Sequence, residues 1–271
     1  MKPRVIAIIQ GRMSSSRLPG KVLAAIAGQP MLQRVFARTS RSTTVTETIF
    51  ATTTDASDDP VAEYCEFSRI PFTRGSQFDV LDRYYQTAKQ ANADIVVRIT
   101  ADCPVIDPDL IDDVVNTLQE NEYDFVSNRL PPPYHRTYPI GLDTEACTFK
   151  VLEKAWKEAR EPQHREHAMP YFYEGVELTT VNRQRQTGFS PRGFNIAILH
   201  HTTDFGEHRW TVDTPEDLEF IRQIYSRFDG HDDFTWKEVL DLVHNEPKLM
   251  EINSGVQHKT LKDIDDRALK R

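Results

Sequence analysis

VIAIIQGRMSSSRLPGK, residues 5–21, opens with five consecutive apolar residues and then breaks into a basic loop of small ones. A run this short reads as a buried strand, because a membrane span or the apolar region of a secretory leader needs more residues. The loop carries Arg12, Arg17 and Lys21 among Gly11, Ser14, Ser15, Ser16 and Gly20. Backbone amides freed by serine and glycine, together with three cations, make a compact cradle for a triphosphate. A basic surface turn has the same composition, so composition alone leaves both readings open. The loop is not a Walker A sequence, which needs Gly at position 15 and Ser or Thr at position 22, where this chain has Ser15 and Val22. It also lacks the GxGxxG spacing of dinucleotide folds.

Outward from this loop, short apolar runs alternate with amphipathic stretches: TIFATTT, DDPVAEYCEFSR, DVLDRYYQTAKQA, DIVVRIT and DLIDDVVNTLQE come in order. Strand–helix repetition predicts an α/β protein with a mostly parallel sheet covered on both faces. Ligands gather at the edge where such strands end, which directs attention to QGRMSSSRLPGK, TDASDDP and ADCPVIDP. From Tyr123 the pattern loosens, and Pro131 to Pro133 forbid helix and central strand alike. Residues 127–145 are therefore read as an inserted lid. Helical periodicity returns in FKVLEKAWKEAR and HREHAMPYFYE, β-type alternation in VELTTVNRQ, and RWTVDTPEDLEFIRQIYSRF reads as a strand running into a helix capped by Asp213 or Thr214. The main domain is placed over residues 1–230, with a helical appendage containing WKEVLDLVH and a polar tail over 231–271.

An excess of 41 acidic over 33 basic residues leaves a formal charge of -8. A broad nucleic-acid footprint needs a basic face and is not expected. Cys65, Cys103 and Cys147 are isolated and odd in number, which argues against a disulfide framework or a cysteine zinc site and for a reducing cytoplasm. No membrane association is expected. Asp102 and Asp213 each come just after an apolar run, where a strand-end carboxylate would face the ligand crevice. Two such groups meeting at Mg²⁺ would neutralise charge on a reacting phosphate. Equally ordinary tasks for aspartate are capping a turn at 102 and a helix at 213.

The stretch IIQGRMSSSRLPGKVL resembles the signature of the CMP-sugar cytidylyltransferases, in the branch named after spore coat polysaccharide biosynthesis protein F. ATTTDASDDP, RGSQFDVLDRYY, VVRITADCPVIDP, DFVSN, YPIGLDTE, REHAMPYFY and TVDTPEDLE continue the resemblance in order over roughly residues 4 to 252. It implies a Rossmann-like nucleotidyltransferase fold that transfers CMP from CTP to a sugar or related acidic acceptor, releasing pyrophosphate, in surface polysaccharide biosynthesis. The implied nucleotide site comprises Gln10, Gly11, Arg12, Ser16, Arg17, Lys21 and Asp102, with Arg74, Gly75 and Ser76 near the base. Arg12, Lys21, Asp102 and Asp213 carry the catalysis, the two aspartates holding Mg²⁺, and a homodimer is implied as well. Three positions depart from the pattern: Gly11 and Ser14 stand where Ala and Gly are expected, and Ala101 where Gly is expected.

On this reading the lid and the segments beyond it bind the anionic acceptor, through Asn128, Arg129, Arg136, Asp143, Glu145, Arg165, His167 and Arg209. Asp143 is a candidate base for an attacking hydroxyl or a group that orients one. Arg209 pairs with a substrate anion or with Asp217. Asp79, Asp82 and Arg83 read as a helix start with an i, i+4 pair between Asp79 and Arg83. His164 and His167 lack a third ligand for zinc and read as a helix face. A GT-A-like glycosyltransferase would need a DxD metal motif. The nearest candidate, Asp107-Pro108-Asp109, reads as a helix start. A nucleotide-binding protein without catalysis would have no need of Lys21, Asp102 and Asp213 together. UTP is the competitor that sequence does not separate from CTP.

Overall fold

In a computed structural model, which describes residues 2–120 and 122–257, the apolar run quoted first is the central strand β1 (Val5–Gln10). It is flanked by β4 (Glu47–Thr53) and β6 (Ile95–Thr100), both parallel to it, with β5 (Phe72–Gly75) parallel beyond β4. The sheet continues past β6 through β8 (Glu145–Thr148), β7 (Phe125–Ser127), β11 (Asn195–Leu199), β10 (Arg185–Phe189) and β9 (Thr179–Asn182). Of these nine strands, β8 and β10 run against the other seven. The expected mixed, mostly parallel sheet is present. A two-stranded hairpin, β2 (Ala25–Ile26) with β3 (Gln29–Pro30), stands apart and was not anticipated.

Alternation along the strands sends side chains to two cores. Ile6, Ile8 and Val96 pack under α3 (Val80–Gln90), α5 (Phe149–Glu158) and α7 (Pro170–Tyr173). Ala7, Ile9, Val97 and Ile99 pack under α1 (Met31–Thr39), α2 (Asp59–Phe67) and α4 (Pro108–Glu120). Helices thus cover both faces, as the alternating pattern predicts. A third core joins Met31, Trp210 and Val212 to α8 (Pro215–Arg227) and α9 (Trp236–Asn245). The segment after residue 230 is fastened to the main body, since Arg38 donates to the carbonyls of Asp232 and Phe234, and Asp107 accepts from the Trp236 amide. The polar end after residue 257 lies outside the described residues.

Two segments differ from the elements their sequence predicts. RWTV is no strand of the sheet: an isolated bridge joins Arg209 to Ile140, and Val212 N–H donates to the Asp102 carbonyl at 2.8 Å. HREHAMPYFYE is two short helices, α6 (Pro162–His167) and α7, broken at Ala168 with φ 63° just before Pro170, whose ring cannot continue the hydrogen-bond ladder. The three cysteines are free and buried. Among the described residues no helix is long and apolar enough to cross a membrane.

Candidate active site

The chain leaves β1 for β4 and β5 on one side, then crosses to β6 on the other, so the strand order reverses between β1 and β6. Open α/β sheets bind ligands at that switch point. A cavity of about 250 Å³ lies there, lined by Gln10, Gly11 and Arg12 from the first loop, Thr100 and Asp102 from the end of β6, and Lys21. The loop keeps its shape through two anchors. Asp58, fully buried, accepts the Met13 amide at 2.6 Å, and Gly20, at φ 75°, donates its N–H to the Met13 carbonyl at 2.8 Å. A left-handed φ suits glycine at this closing position.

Lys21 ties the site together. Its Nζ donates to Asp102 Oδ2 at 2.7 Å, to Asp213 Oδ1 at 2.9 Å and to the Val212 carbonyl at 2.7 Å. The two aspartates, distant in sequence, therefore converge on one ammonium, helped by the bond from Val212 N–H to the Asp102 carbonyl and one from Thr211 Oγ1 to the same oxygen. Asp213 also accepts from Arg17 at 2.7 Å and from Arg209 at 2.9 Å. Burial pushes the Asp213 carboxyl up, but Lys21, Arg17 and Arg209 outweigh it and hold the group well below the usual carboxylate range. Burial pulls the Lys21 ammonium down, and the charges of Asp102 and Asp213 raise it above its ordinary value. Thr214, not Asp213, caps α8 in a reciprocal box with Asp217.

Residues 6–243 match the cytidylyltransferase family. The chain belongs to that family. An uncharacterized protein of Methanocaldococcus jannaschii is 32% identical over 263 residues, spanning 97% of this chain and 100% of that protein. Spore coat polysaccharide biosynthesis protein SpsF of Bacillus subtilis is 27% identical over 250 residues, spanning 90% of this chain and 95% of its own. The solved structure of a cytidylyltransferase from Leptospira borgpetersenii superimposes with a TM-score of 0.79 at 28% identity, covering 95% of this chain and 100% of that one.

Several polar residues expected to face ligand are spent elsewhere in this cytidylyltransferase. Arg74 donates to the Thr53 and Asp55 carbonyls and to Asp59, clamping the turn after β4, while Gln77, Phe78 and Val80 from the same block line the cavity. Gly75 leaves room for Arg83, because a Cβ there would meet its Cγ at 2.8 Å. Ser76 accepts from Arg83 at its carbonyl and from the Asp79 N–H at its hydroxyl oxygen. Arg83 is buried and does not pair with Asp79, whose partner is Arg165 at 2.9 Å. Arg165 also holds the Trp156 carbonyl and so fastens α6 to the start of α3 instead of facing an acceptor. In the first loop Ser14 and Ser15 line the cavity, and the exposed Ser16 does not.

The lid is held by its own residues. Asn128, buried, bonds the Leu142 carbonyl and the Thr144 amide across the lid's two ends. Asp143 accepts from Arg129 at 2.9 Å and Arg136 at 3.0 Å. Burial raises its carboxyl, but the two guanidinium charges bring it down to about 2, which makes it a poor base near neutral pH. Of the two partners expected for Arg209, a substrate anion or Asp217, it holds Asp217 at 2.8 Å, and it also pairs with Asp213. His164 is buried against Glu174 at 2.9 Å, and among the described residues no group of three metal-ligating side chains forms. His167 and Glu166 line the cavity wall. Asp107 is buried and accepts the Asp109 amide at 3.0 Å at the start of α4, and neither of the two lines the cavity, so the stretch is a helix start and no DxD motif.

The departures at Gly11 and Ala101 belong together. A Cβ on Gly11 would stand 2.7 Å from the Ala101 Cβ and 2.7 Å from the Phe50 ring. The methyl missing from the loop is present on the neighbouring strand end, so the exchange of small residues preserves the floor of the site. Arg98 was not singled out from the sequence. It lines the cavity from the middle of β6 and pairs with Glu145 directly opposite on β8. The available signal was a lone cation inside the apolar run DIVVRIT.

Proposed function

We infer that the protein transfers a cytidylyl group from CTP to an anionic sugar or related small acceptor, releasing pyrophosphate. The observation that carries this reading is the convergence of Asp102 and Asp213 on Lys21 at the cavity's edge, beside Arg12 and Arg17. In the reaction an acceptor oxygen bonds to the α-phosphorus and loses its proton, while the α–β bridging bond breaks and its electrons leave with pyrophosphate. Negative charge grows on the phosphates, and Arg12, Arg17 and Lys21 offset it.

The donor set also fits Mg²⁺. Two hard carboxylates aimed at one point, completed by phosphate oxygens, are the usual protein contribution to such a site. Asp102 and Asp213 would hold the ion, which supplies positive charge to the reacting phosphates. Lys21, shared here by both carboxylates, would then be available to the triphosphate. Homodimeric assembly, a cytoplasmic location and a role in surface polysaccharide synthesis belong to the same proposal.

The test is pyrophosphate release with Mg²⁺, each of four ribonucleoside triphosphates, and a panel of acidic sugars, sugar phosphates and phosphonates. Release with CTP and one acceptor is expected. Release with UTP in place of CTP would overturn the base assignment, and nucleotide binding without release for any acceptor would favour a binding protein.

A further inference from the structure

Arg98 stands where a sheet ordinarily places an aliphatic side chain. Its strand β6 is bonded on both sides, to β1 and β8, and Val96, two residues before it on the same face, packs among Ile6, Ile8, Leu81 and Tyr84. Taking a guanidinium out of water is costly, and a buried ion pair at best offsets that cost, so apolar residues of similar volume would serve the fold as well. Glu145, whose side chain is 3% exposed, supplies the pair from the facing position on β8.

The pairing leaves most of the arginine unused. Among the described residues Nη1 bonds Glu145, the enclosed Nε has no acceptor, and no bond is made by Nη2. The side chain keeps 16% exposure and lines the cavity that also holds Lys21, Asp102 and His167. Thr100 is two residues on, at the end of the strand, so Arg98 lies about 7 Å deeper than the strand end that leads into Asp102. An acceptor whose attacking oxygen lies near Asp102 extends down the cavity toward this cation. Guanidinium donors left over in a sheltered site recognise carboxylate or phosphate oxygens in pairs.

We propose that Arg98 binds the oxyanion group of the acceptor, with Glu145 as the positioning residue that fixes its guanidinium. This assignment rests on the cytidylyltransferase reading of the site and goes further by naming the residue that selects an anionic acceptor. The arginines that the lid offers in sequence are not placed for that task, because Arg129 and Arg136 are both held on Asp143 and neither lines the cavity.

The test is calorimetric binding to the CTP-loaded protein, using 3-deoxy-manno-octulosonate as the carboxylate probe, glucose 1-phosphate as the phosphate probe and glucose as the neutral control. The wild-type protein binds one of the two anionic probes, and Arg98→Met weakens that binding at least 30-fold while the Kd for CTP changes less than threefold. Arg98→Lys, which keeps the charge but not the fork, recovers a minor part. Because Arg98→Met leaves Glu145 buried alone, the double variant Arg98→Met/Glu145→Leu is measured beside it. It regains thermal stability and still fails to bind the probe. Recovery of probe binding in the double variant, or unchanged binding in Arg98→Met, shows a purely structural pair and overturns the proposal. So does failure of both anionic probes to bind a protein that binds CTP, which leaves the cytidylyl reading standing. If CTP itself does not bind, both fall.

Discussion

At the loop end of the cavity Lys21, Arg17 and Arg209 surround Asp213, and Lys21 reaches on to Asp102. At the lid end Arg129 and Arg136 surround Asp143. Both ends are built from arginines and aspartates, yet Lys21 and Asp102 line the cavity, with Asp213 and its arginines joined to it through Lys21, while none of Asp143, Arg129 and Arg136 reaches its wall. Ion pairs that face a ligand space can exchange partners when phosphates arrive. A pair closed on itself beneath a loop has no such freedom and holds the loop in place. The lesson is that residue type and charge do not distinguish a reacting cluster from a clamp, whereas access to the cavity does.

Substitution at the loop end should produce the largest effect. Asp102→Ala or Asp213→Ala is expected to lower kcat/KM on the order of 10³-fold, the scale of losing one electrostatic contact in the transition state, with the melting temperature little changed in Asp102→Ala and lowered in Asp213→Ala, which takes away a carboxylate shared by Lys21, Arg17 and Arg209. Steady-state kinetics with Mg²⁺ and thermal unfolding measure the two halves, and full activity in both variants would remove the metal assignment. Asp143→Asn should do the reverse. Opening a buried pair is expected to cost about 3 kcal/mol of stability, read from denaturant unfolding, with kcat of the folded enzyme changed by no more than a few fold. A 10²-fold loss of kcat at unchanged stability would make Asp143 the base and erase the contrast between the two ends.

The same division separates the legible from the illegible in the sequence. The central strands, most of the helices and the positions of Lys21 and Asp102 could be read because local patterns encode them: an apolar run, a helical period, an aspartate just past a strand. Asp213 follows no strand of the sheet and is brought to Lys21 by the bond from Val212 N–H to the Asp102 carbonyl. Arg74, Asn128 and Arg165 are expected at ligand because they occur in the right blocks, but their partners come from other segments, and tertiary burial decides them. RWTV has the composition of a strand, and its N–H groups at Trp210 and Val212 find Ile140 and Asp102 outside the sheet. Gly11 and Ala101 were visible as departures without being visible as a pair. If the methyl has simply changed strands, Gly11→Ala alone should cost about 2 kcal/mol by overpacking, and Gly11→Ala/Ala101→Gly should recover most of it, the remainder being set by how far Phe50 can tilt. Equal destabilisation of the single and double variants would show that Phe50, not Ala101, excludes the side chain.

The smallest effect, and the one that sharpens the contrast from within the lid, lies in acid. Asp143 has its carboxyl brought from an ordinary 3.8 down to about 2 in the folded protein, against burial, by Arg136 and Arg129. A carboxyl with a depressed folded value contributes stability that is fully present above its unfolded value and is lost as pH falls through the folded one. The contribution is about 2 kcal/mol from that difference, so it should be constant from neutral pH to somewhat above 4 and fade between 4 and 2. Asparagine copies the protonated form, so the stability gap between the wild-type protein and Asp143→Asn should narrow over that window and stay level above it. Urea unfolding at a series of pH values reads this directly. A gap that does not narrow between pH 4 and 2 would mean that the two arginines hold the lid by geometry alone, and that the charge on Asp143 is reserved for something that enters the cavity.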